Sequence, residues 1–95
     1  MSEVTDKAAA TINERLGGGF DGSAKFDIEG DGTVMVDSDG ARSGDGDADV
    51  TLSADQATFE EILSGDLDAT SAFMQGRLKV DGDMGTAMRL ASALS

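Results

Sequence analysis

The sequence predicts a single α+β domain, with a mostly antiparallel sheet and its helices gathered on one face. Short segments in which apolar and polar residues alternate are separated by turns rich in Gly and Asp, which is typical of half-buried strands. Longer segments with apolar residues three or four positions apart precede and follow them, which is typical of amphipathic helices. The predicted order is α-β-β-(β)-β-α-α-β-α, and a chain of 95 residues is the size of one domain, covering residues 1–95.

The first helix is predicted over residues 3–16, and the three glycines at 17–19 end it. A β-hairpin is predicted next, with strands at 24–28 and 33–37 joined by a Gly-Asp-Gly turn at 30–32. The apolar stripe of the helix consists of Val4, Ala8, Ala9, Ile12 and Leu16. The inward-facing residues of the two strands are Ala24, Phe26, Ile28, Val34 and Val36.

Residues 37–49 form a Gly- and Asp-rich connection, within which 41–43 fit a short edge strand. A further strand follows, because Ala48, Val50 and Leu52 alternate with polar residues. Ser53 and Gln56 have the spacing of a capping box, so Ser53 is predicted to cap the next helix.

The C-terminal third of the chain predicts the remaining elements. Gly65 suits the position just after the helix that follows the capping box. A short helix near 69–75 leads to an alternating strand at 77–81, and the last helix begins near residue 83 or 84. The stripe of the first of these helices consists of Phe59, Ile62 and Leu63, and that of the last consists of Met84, Ala87, Met88, Ala91 and Leu94.

The charge balance limits the partners of this chain. It carries 19 acidic and 7 basic residues, a formal net charge of −12. Nucleic acids and anionic membranes are themselves negative, so electrostatics disfavours both. Cys is absent, which excludes disulfide and thiolate chemistry. No signal-peptide pattern and no apolar run approaching ~20 residues are found, so the sequence predicts a cytoplasmic protein without integral membrane association.

Three short motif matches are rejected because the residues around them do not fit the corresponding binding site. Residues 17–22 match G-x-G-x-x-G, but a helix precedes them and a strand follows, the reverse of a dinucleotide-binding turn. The segment 27–38 resembles the start of a calcium loop but ends in serine where a bidentate carboxylate is needed. Residues 45–50 have Val50 in place of the turn glycine. No metal site is predicted, although weak calcium binding by the acidic 37–49 loop stays open.

Catalysis is not predicted. The chain has no His, Cys or Tyr, so a serine nucleophile could draw only on lysines as a base. The carboxylate pairs Glu60–Glu61 and Asp81/Asp83 are better explained as a helix surface and a turn. We therefore expect neither enzymatic activity nor a cofactor.

The remaining candidate for function is a set of large apolar side chains in the C-terminal half. Methionine is flexible and polarisable, so two methionines on one helical face fit an adaptable apolar binding surface. The same spacing also fits an ordinary hydrophobic core, and the residues alone leave both interpretations open. The set consists of Phe59, Ile62, Leu63, Phe73, Met74, Met84 and Met88.

The run SAFMQGRLKVDGDMGTAMRL at 71–90 resembles the sterol carrier protein type-2 domain family. That family has an aromatic/Met-x-Gly-Lys/Arg-Leu-Lys-hydrophobic-x-Gly-Asn/Asp-Met run followed by Ala-Met-Lys/Arg-Leu. The resemblance implies a twisted five-stranded sheet with helices over one face and an apolar tunnel between them. Family tunnels take fatty acids, acyl-CoAs, sterols or phospholipids without catalysis. Because the chain ends at Ser95 without a peroxisomal signal, it looks like a free-standing bacterial-type member, for which a fatty acid or other lipid is expected.

The resemblance also implies which residues contact the ligand. Phe73, Met74 and Gln75 match positions that flank the tunnel, and Met84 and Met88 match positions that close it. Gln75 is expected to be a polar handle for a headgroup or a water, or else a cap on a nearby backbone group. The predicted ligand-binding residues are Phe26, Val36, Phe59, Ile62, Leu63, Phe73, Met74, Gln75, Met84 and Met88. The open alternative is an accessory protein-interaction module that uses the same groove without a stable lipid.

Overall fold

The computed structural model describes residues 3–94, and within them the chain forms four helices and five strands. The predicted α+β class, its element order and the short third strand are all confirmed. In chain order the elements are α1 (Glu3–Leu16), β1 (Ala24–Ile28), β2 (Gly32–Asp37), β3 (Gly40–Ser43), β4 (Val50–Ala54), α2 (Gln56–Ser64), α3 (Ala69–Met74), β5 (Lys79–Gly82) and α4 (Met84–Leu94).

The five strands form one sheet in the order β3-β2-β1-β4-β5. The predicted hairpin of β1 and β2 is present, with Phe26 opposite Val34. Strands β2–β3 and β4–β5 also pair antiparallel, whereas β1 and β4 pair parallel, with Phe26 beside Leu52. The sheet is therefore mostly antiparallel with one parallel pair, which joins the N-terminal hairpin to the C-terminal half.

Period-two alternation directs the apolar side chains of the central strands to one face of the sheet, where they form the core with the helices. The opposite face is partly covered by the 44–49 connection. Lys25 on β1 forms an ion pair with Asp45 of this connection (2.8 Å), and Gly44 donates its N–H to the carbonyl of Thr33 (3.1 Å). This cover explains why Met35 is buried although it lies on the face opposite Val34.

Helix α1 is attached to the edge strand β3 by side-chain hydrogen bonds. Asn13 donates its Nδ2 to the carbonyl of Ala41 (2.8 Å) and accepts the N–H of the same residue on its Oδ1 (2.7 Å). At the other end of β3, the Ser43 hydroxyl donates to Asp6 (2.5 Å). Because β3 has a neighbouring strand on one side only, the two bonds from Asn13 satisfy backbone groups of Ala41 that the sheet leaves open.

Two local predictions are corrected by the structure. Ser53 was wrongly predicted as the cap of α2: it lies in β4, and Asp55 caps the helix by accepting the N–H of Thr58 on Oδ1 (2.8 Å). The capping box fails because the chain stays extended through Ala54. Strand β5 begins two residues later than predicted, because the N–H groups of residues 77 and 78 both donate to the carbonyl of Ala72 (2.9 and 3.2 Å) and hold that segment in the turn after α3.

Candidate functional site

An apolar cleft lies between the sheet and helices α2, α3 and α4. Its floor comes from β1 and β4, which contribute Phe26 and Leu52, and its walls come from the helices. Apart from Thr70, every residue that lines it is apolar. Its volume is about 40 Å³, whereas sites that hold drug-sized ligands measure roughly 300–1,000 Å³. The expected lipid-sized tunnel is therefore present only as a narrow cleft.

The wall on the α2 side is fixed by an aromatic pair. The rings of Phe26 and Phe59 meet edge to face, with their centroids 5.4 Å apart and their planes at 88°. This arrangement places the positive ring edge against the negative ring face. Phe59 is held in turn by α2, whose first turn is capped by Asp55 and whose end is closed by Gly65 in the left-handed region.

The opening of the cleft to solvent is surrounded by large apolar side chains that remain exposed. Phe73 on α3 is 41% exposed, and Met84 and Met88 on α4 are 45% and 52% exposed. All three also line the cleft. Exposed apolar groups at the entrance of an apolar space are unusual for a plain core, because burying them would be favourable.

The structure brings together six of the ten residues that the sequence predicts to bind ligand. Val36 is fully buried in the core away from the cleft lining, and Leu63 faces a different groove, described below. Met74 is 80% exposed and Gln75 is exposed at the C-terminal end of α3, and neither lines the cleft. The six that line it are Phe26, Phe59, Ile62, Phe73, Met84 and Met88.

Nine lining residues are not in the predicted set. Leu90 is completely buried. It lies three or four positions from Thr86, Ala87 and Leu94, and this helical spacing could have identified it as an inward-facing residue of α4. The methionines of the same helix point to the cleft opening instead. The nine residues are Leu52, Ala69, Thr70, Leu78, Val80, Ala87, Leu90, Ala91 and Leu94.

A second cavity of about 190 Å³ adjoins one end of the cleft, and we call it the Arg15 cavity. It shares Ile62, Ala69, Ala91 and Leu94 with the cleft lining, and Asp68 lines it together with Arg15. The Arg15 guanidinium donates Nη1 to the carbonyl of Leu94 (3.0 Å) and Nη2 to that of Leu63 (2.6 Å). A cation therefore lies where the C-terminal ends of α1, α2 and α4 meet, beside the apolar cleft.

A third space is the open groove between α1 and α2, of about 540 Å³, which we call the α1–α2 groove. Its interior is apolar and includes Leu63, whereas its rim carries both charged and polar groups. Gln56 on this rim donates Nε2 to Glu60 Oε1 (3.2 Å). Within residues 3–94, Phe59 is the one residue that lines both this groove and the cleft.

Carboxylates cap the first turns of α2 and α4, two of the three helices that border the cleft. Hydrogen bonds from Thr58 to Asp55 lower the pKa of that carboxyl below its usual value. The pKa of Asp83, at the start of α4, is also lowered, first by the Thr86 hydroxyl (2.8 Å from Oδ2) and then by the N–H of Gly85 (3.0 Å from Oδ1). Both groups are therefore ionised caps at neutral pH.

Comparison with known proteins identifies the family. The model of the SCP-2 sterol transfer family matches residues 4–95, and the chain belongs to this family. Hydroxysteroid dehydrogenase-like protein 2 from Danio rerio is 31% identical over 103 residues, which cover 100% of this chain and 25% of that protein. Sterol carrier protein 2 from Rattus norvegicus is 36% identical over 76 residues, which cover 79% of this chain and 13% of that protein.

The fold agrees with solved structures of the family. The solution NMR structure of sterol carrier protein 2 from Aedes aegypti, in complex with the C16 fatty acid palmitate, superposes with a TM-score of 0.75. It is 24% identical, and the match covers 100% of each chain. The chain spans about a quarter of the length of the hydroxysteroid dehydrogenase-like relatives that it matches. No helix within the described residues is long and apolar enough to cross a membrane.

Proposed function

We propose that this domain binds a long-chain amphiphile, with a fatty acid as its simplest ligand, and that the hydrocarbon chain lies in the cleft. The observation that carries the proposal is the almost wholly apolar lining of the cleft together with its exposed apolar entrance. The palmitate held by the Aedes aegypti relative supports a fatty acid as the ligand. We propose no catalytic role, because the Thr70 hydroxyl is the one polar side-chain group among the residues that line the cleft.

The narrow cleft must widen to take an alkyl chain. The short helix α3 and the N-terminal half of α4 are the segments suited to this movement, because Phe73, Met84 and Met88 already stand partly in solvent. Methionine side chains can repack around a chain at little cost. The carboxylate of the ligand would lie in the Arg15 cavity. Each Nη of Arg15 donates one N–H to a backbone carbonyl and keeps a second N–H for a carboxylate, while Asp68 in the same lining opposes the negative charge of the ligand.

Native mass spectrometry of freshly purified protein, followed by denaturation and lipid extraction, tests this proposal. We expect a bound mass of a few hundred daltons that is lost on denaturation, as for ligands of this size in buried sites. A protein that carries no lipid and ignores added fatty acids would contradict it. Retention of one stoichiometric protein partner without lipid would instead favour the accessory interaction module.

Two charge substitutions test the location of the site. We expect Phe73→Asp and Met84→Asp each to weaken palmitate binding by at least about tenfold, because a carboxylate beside an alkyl chain must be desolvated. Both residues are partly exposed, so the fold should survive, as measured by far-UV circular dichroism. Ala93→Asp is the matched control, since Ala93 is exposed on α4 and does not line the cleft. Equal affinity in all three variants would exclude this cleft as the ligand site.

A further inference from the structure

Phe59 lies between two spaces, the apolar cleft and the α1–α2 groove. Phe59 is the one residue within 3–94 that lines both of them. The residue is only 3% exposed, and its ring is fixed edge-on against Phe26. The cleft alone, at about 40 Å³, is too small for a lipid, whereas the groove of about 540 Å³ lies within the range of ligand sites.

The side of the groove next to Phe59 is suited to a hydrocarbon. Val4 and Ala8 of α1, Ile28 of β1 and Leu63 of α2 all contribute to its lining. The charged groups Glu3, Lys7 and Glu60 belong to the same groove and carry one positive against two negative charges, which does not favour the carboxylate end of a ligand. A chain that arrives past Phe59 would therefore present its methyl end to this space.

We propose that the ring of Phe59 sets the maximum chain length of the ligand, because it blocks passage of the chain from the cleft into the α1–α2 groove. This inference rests on the proposed function. The carboxylate lies towards the Arg15 cavity, the chain fills the widened cleft, and its end stops against Phe59. Removal of the ring joins the cleft to the groove and opens the site to longer chains.

The test measures the affinity of saturated fatty acids of 10 to 20 carbons by fluorescence displacement. We expect Phe59→Ala to bind best at a length at least two carbons greater than that preferred by the wild type. Each further methylene buried in apolar surroundings adds a factor of about four to the affinity. Phe59→Leu keeps more of the core volume and should move the preferred length in the same direction, which covers the case that Phe59→Ala fails to fold.

A second substitution in the Phe59 variants shows where the additional carbons of a longer ligand lie. Thr11 on α1 lines the groove, so adding Thr11→Trp should remove the gain for long chains and leave the affinity of short ones unchanged. Ala10→Trp is the matched control, because Ala10 is exposed on the same helix and lines neither space. If the wild type binds fatty acids and the Phe59 variants keep its preferred chain length, the role of Phe59 is overturned while the proposed function stands. Failure of the wild type to bind any length would overturn the proposed function as well.

Discussion

At the scale of single residues, Gly82 fixes the end of the edge strand that carries Val80 into the cleft. It lies opposite Val50 in the β4–β5 pair, and its φ of 117° is in the region that favours glycine. A Cβ at this position would lie 2.5 Å from the carbonyl oxygen of Asp49 and 2.9 Å from the Cα of Val50. Close approach of the β4 backbone, as well as its own conformation, therefore requires glycine here.

We expect Gly82→Ala to lower the free energy of unfolding by roughly 2–4 kcal/mol, because backbone strain and steric overlap add. Gly30→Ala separates the two causes: its φ is 84°, but a Cβ there would meet no atom within 4 Å. That control should lose only about 1 kcal/mol. Urea denaturation of both variants measures the two losses of stability. Equal losses would mean that steric overlap with Asp49 does not contribute to the effect of Gly82→Ala.

At the scale of elements, two of the three helices that border the cleft, α2 and α4, have first turns that depend on ionised carboxylates. Asp83 accepts hydrogen bonds from Gly85 and Thr86 at the start of α4, and its folded-state pKa lies below that of the unfolded chain. A group with a lowered folded pKa contributes its stability above the unfolded pKa, near 3.8, and loses it as the pH falls through the folded value. Acid should therefore loosen the helix that carries Met84 and Met88.

We expect the wild type to be more stable than Asp83→Asn at pH 7, and the difference to shrink steadily as the pH falls below about 4. Thr86→Val removes the largest cause of the lowered pKa while it keeps the side-chain shape, so it should reduce the same pH dependence. Urea unfolding at pH 3, 4 and 7 provides the comparison. A difference between wild type and Asp83→Asn that stays constant over this range would contradict the role of the charged cap.

The elements and the assembled site differ in how far the sequence predicts them. Helices and strands follow from local spacing, and residues such as Phe26 and Ile62 are found on the expected faces. The parallel pairing of β1 with β4 depends on contacts between distant segments, which no local pattern encodes. Arg15 was not predicted as a site residue for the same reason, because its partners are backbone carbonyls 48 and 79 positions away. The narrow volume of the cleft depends on the packing of side chains from several elements.

At the scale of the whole molecule, a net charge of −12 is carried by a body of 30 × 27 × 22 Å. The Debye length is about 10 Å at 0.1 M salt, so most surface charges interact only weakly at that ionic strength and strongly at lower salt. If the domain delivers its ligand to membranes, the approach to an anionic bilayer is opposed by this charge, while the exposed Phe73, Met84 and Met88 favour contact with any apolar surface. The surface charge therefore opposes contact with an anionic bilayer, and the apolar entrance of the cleft favours it.

These opposing contributions predict how transfer depends on lipid and salt. We expect a fluorescent fatty acid to pass from the protein to neutral phosphatidylcholine vesicles faster than to vesicles with anionic lipid at 0.02 M salt, roughly tenfold if repulsion at the surface reaches 1.4 kcal/mol. At 0.5 M salt the two rates should converge, because screening removes the repulsion and leaves the apolar contact unchanged. Met88→Ser, at the exposed entrance, should slow transfer to both kinds of vesicle at either salt concentration. Faster transfer to anionic vesicles at low salt would contradict the prediction, because it would show that the net charge does not govern the approach of the protein to the membrane.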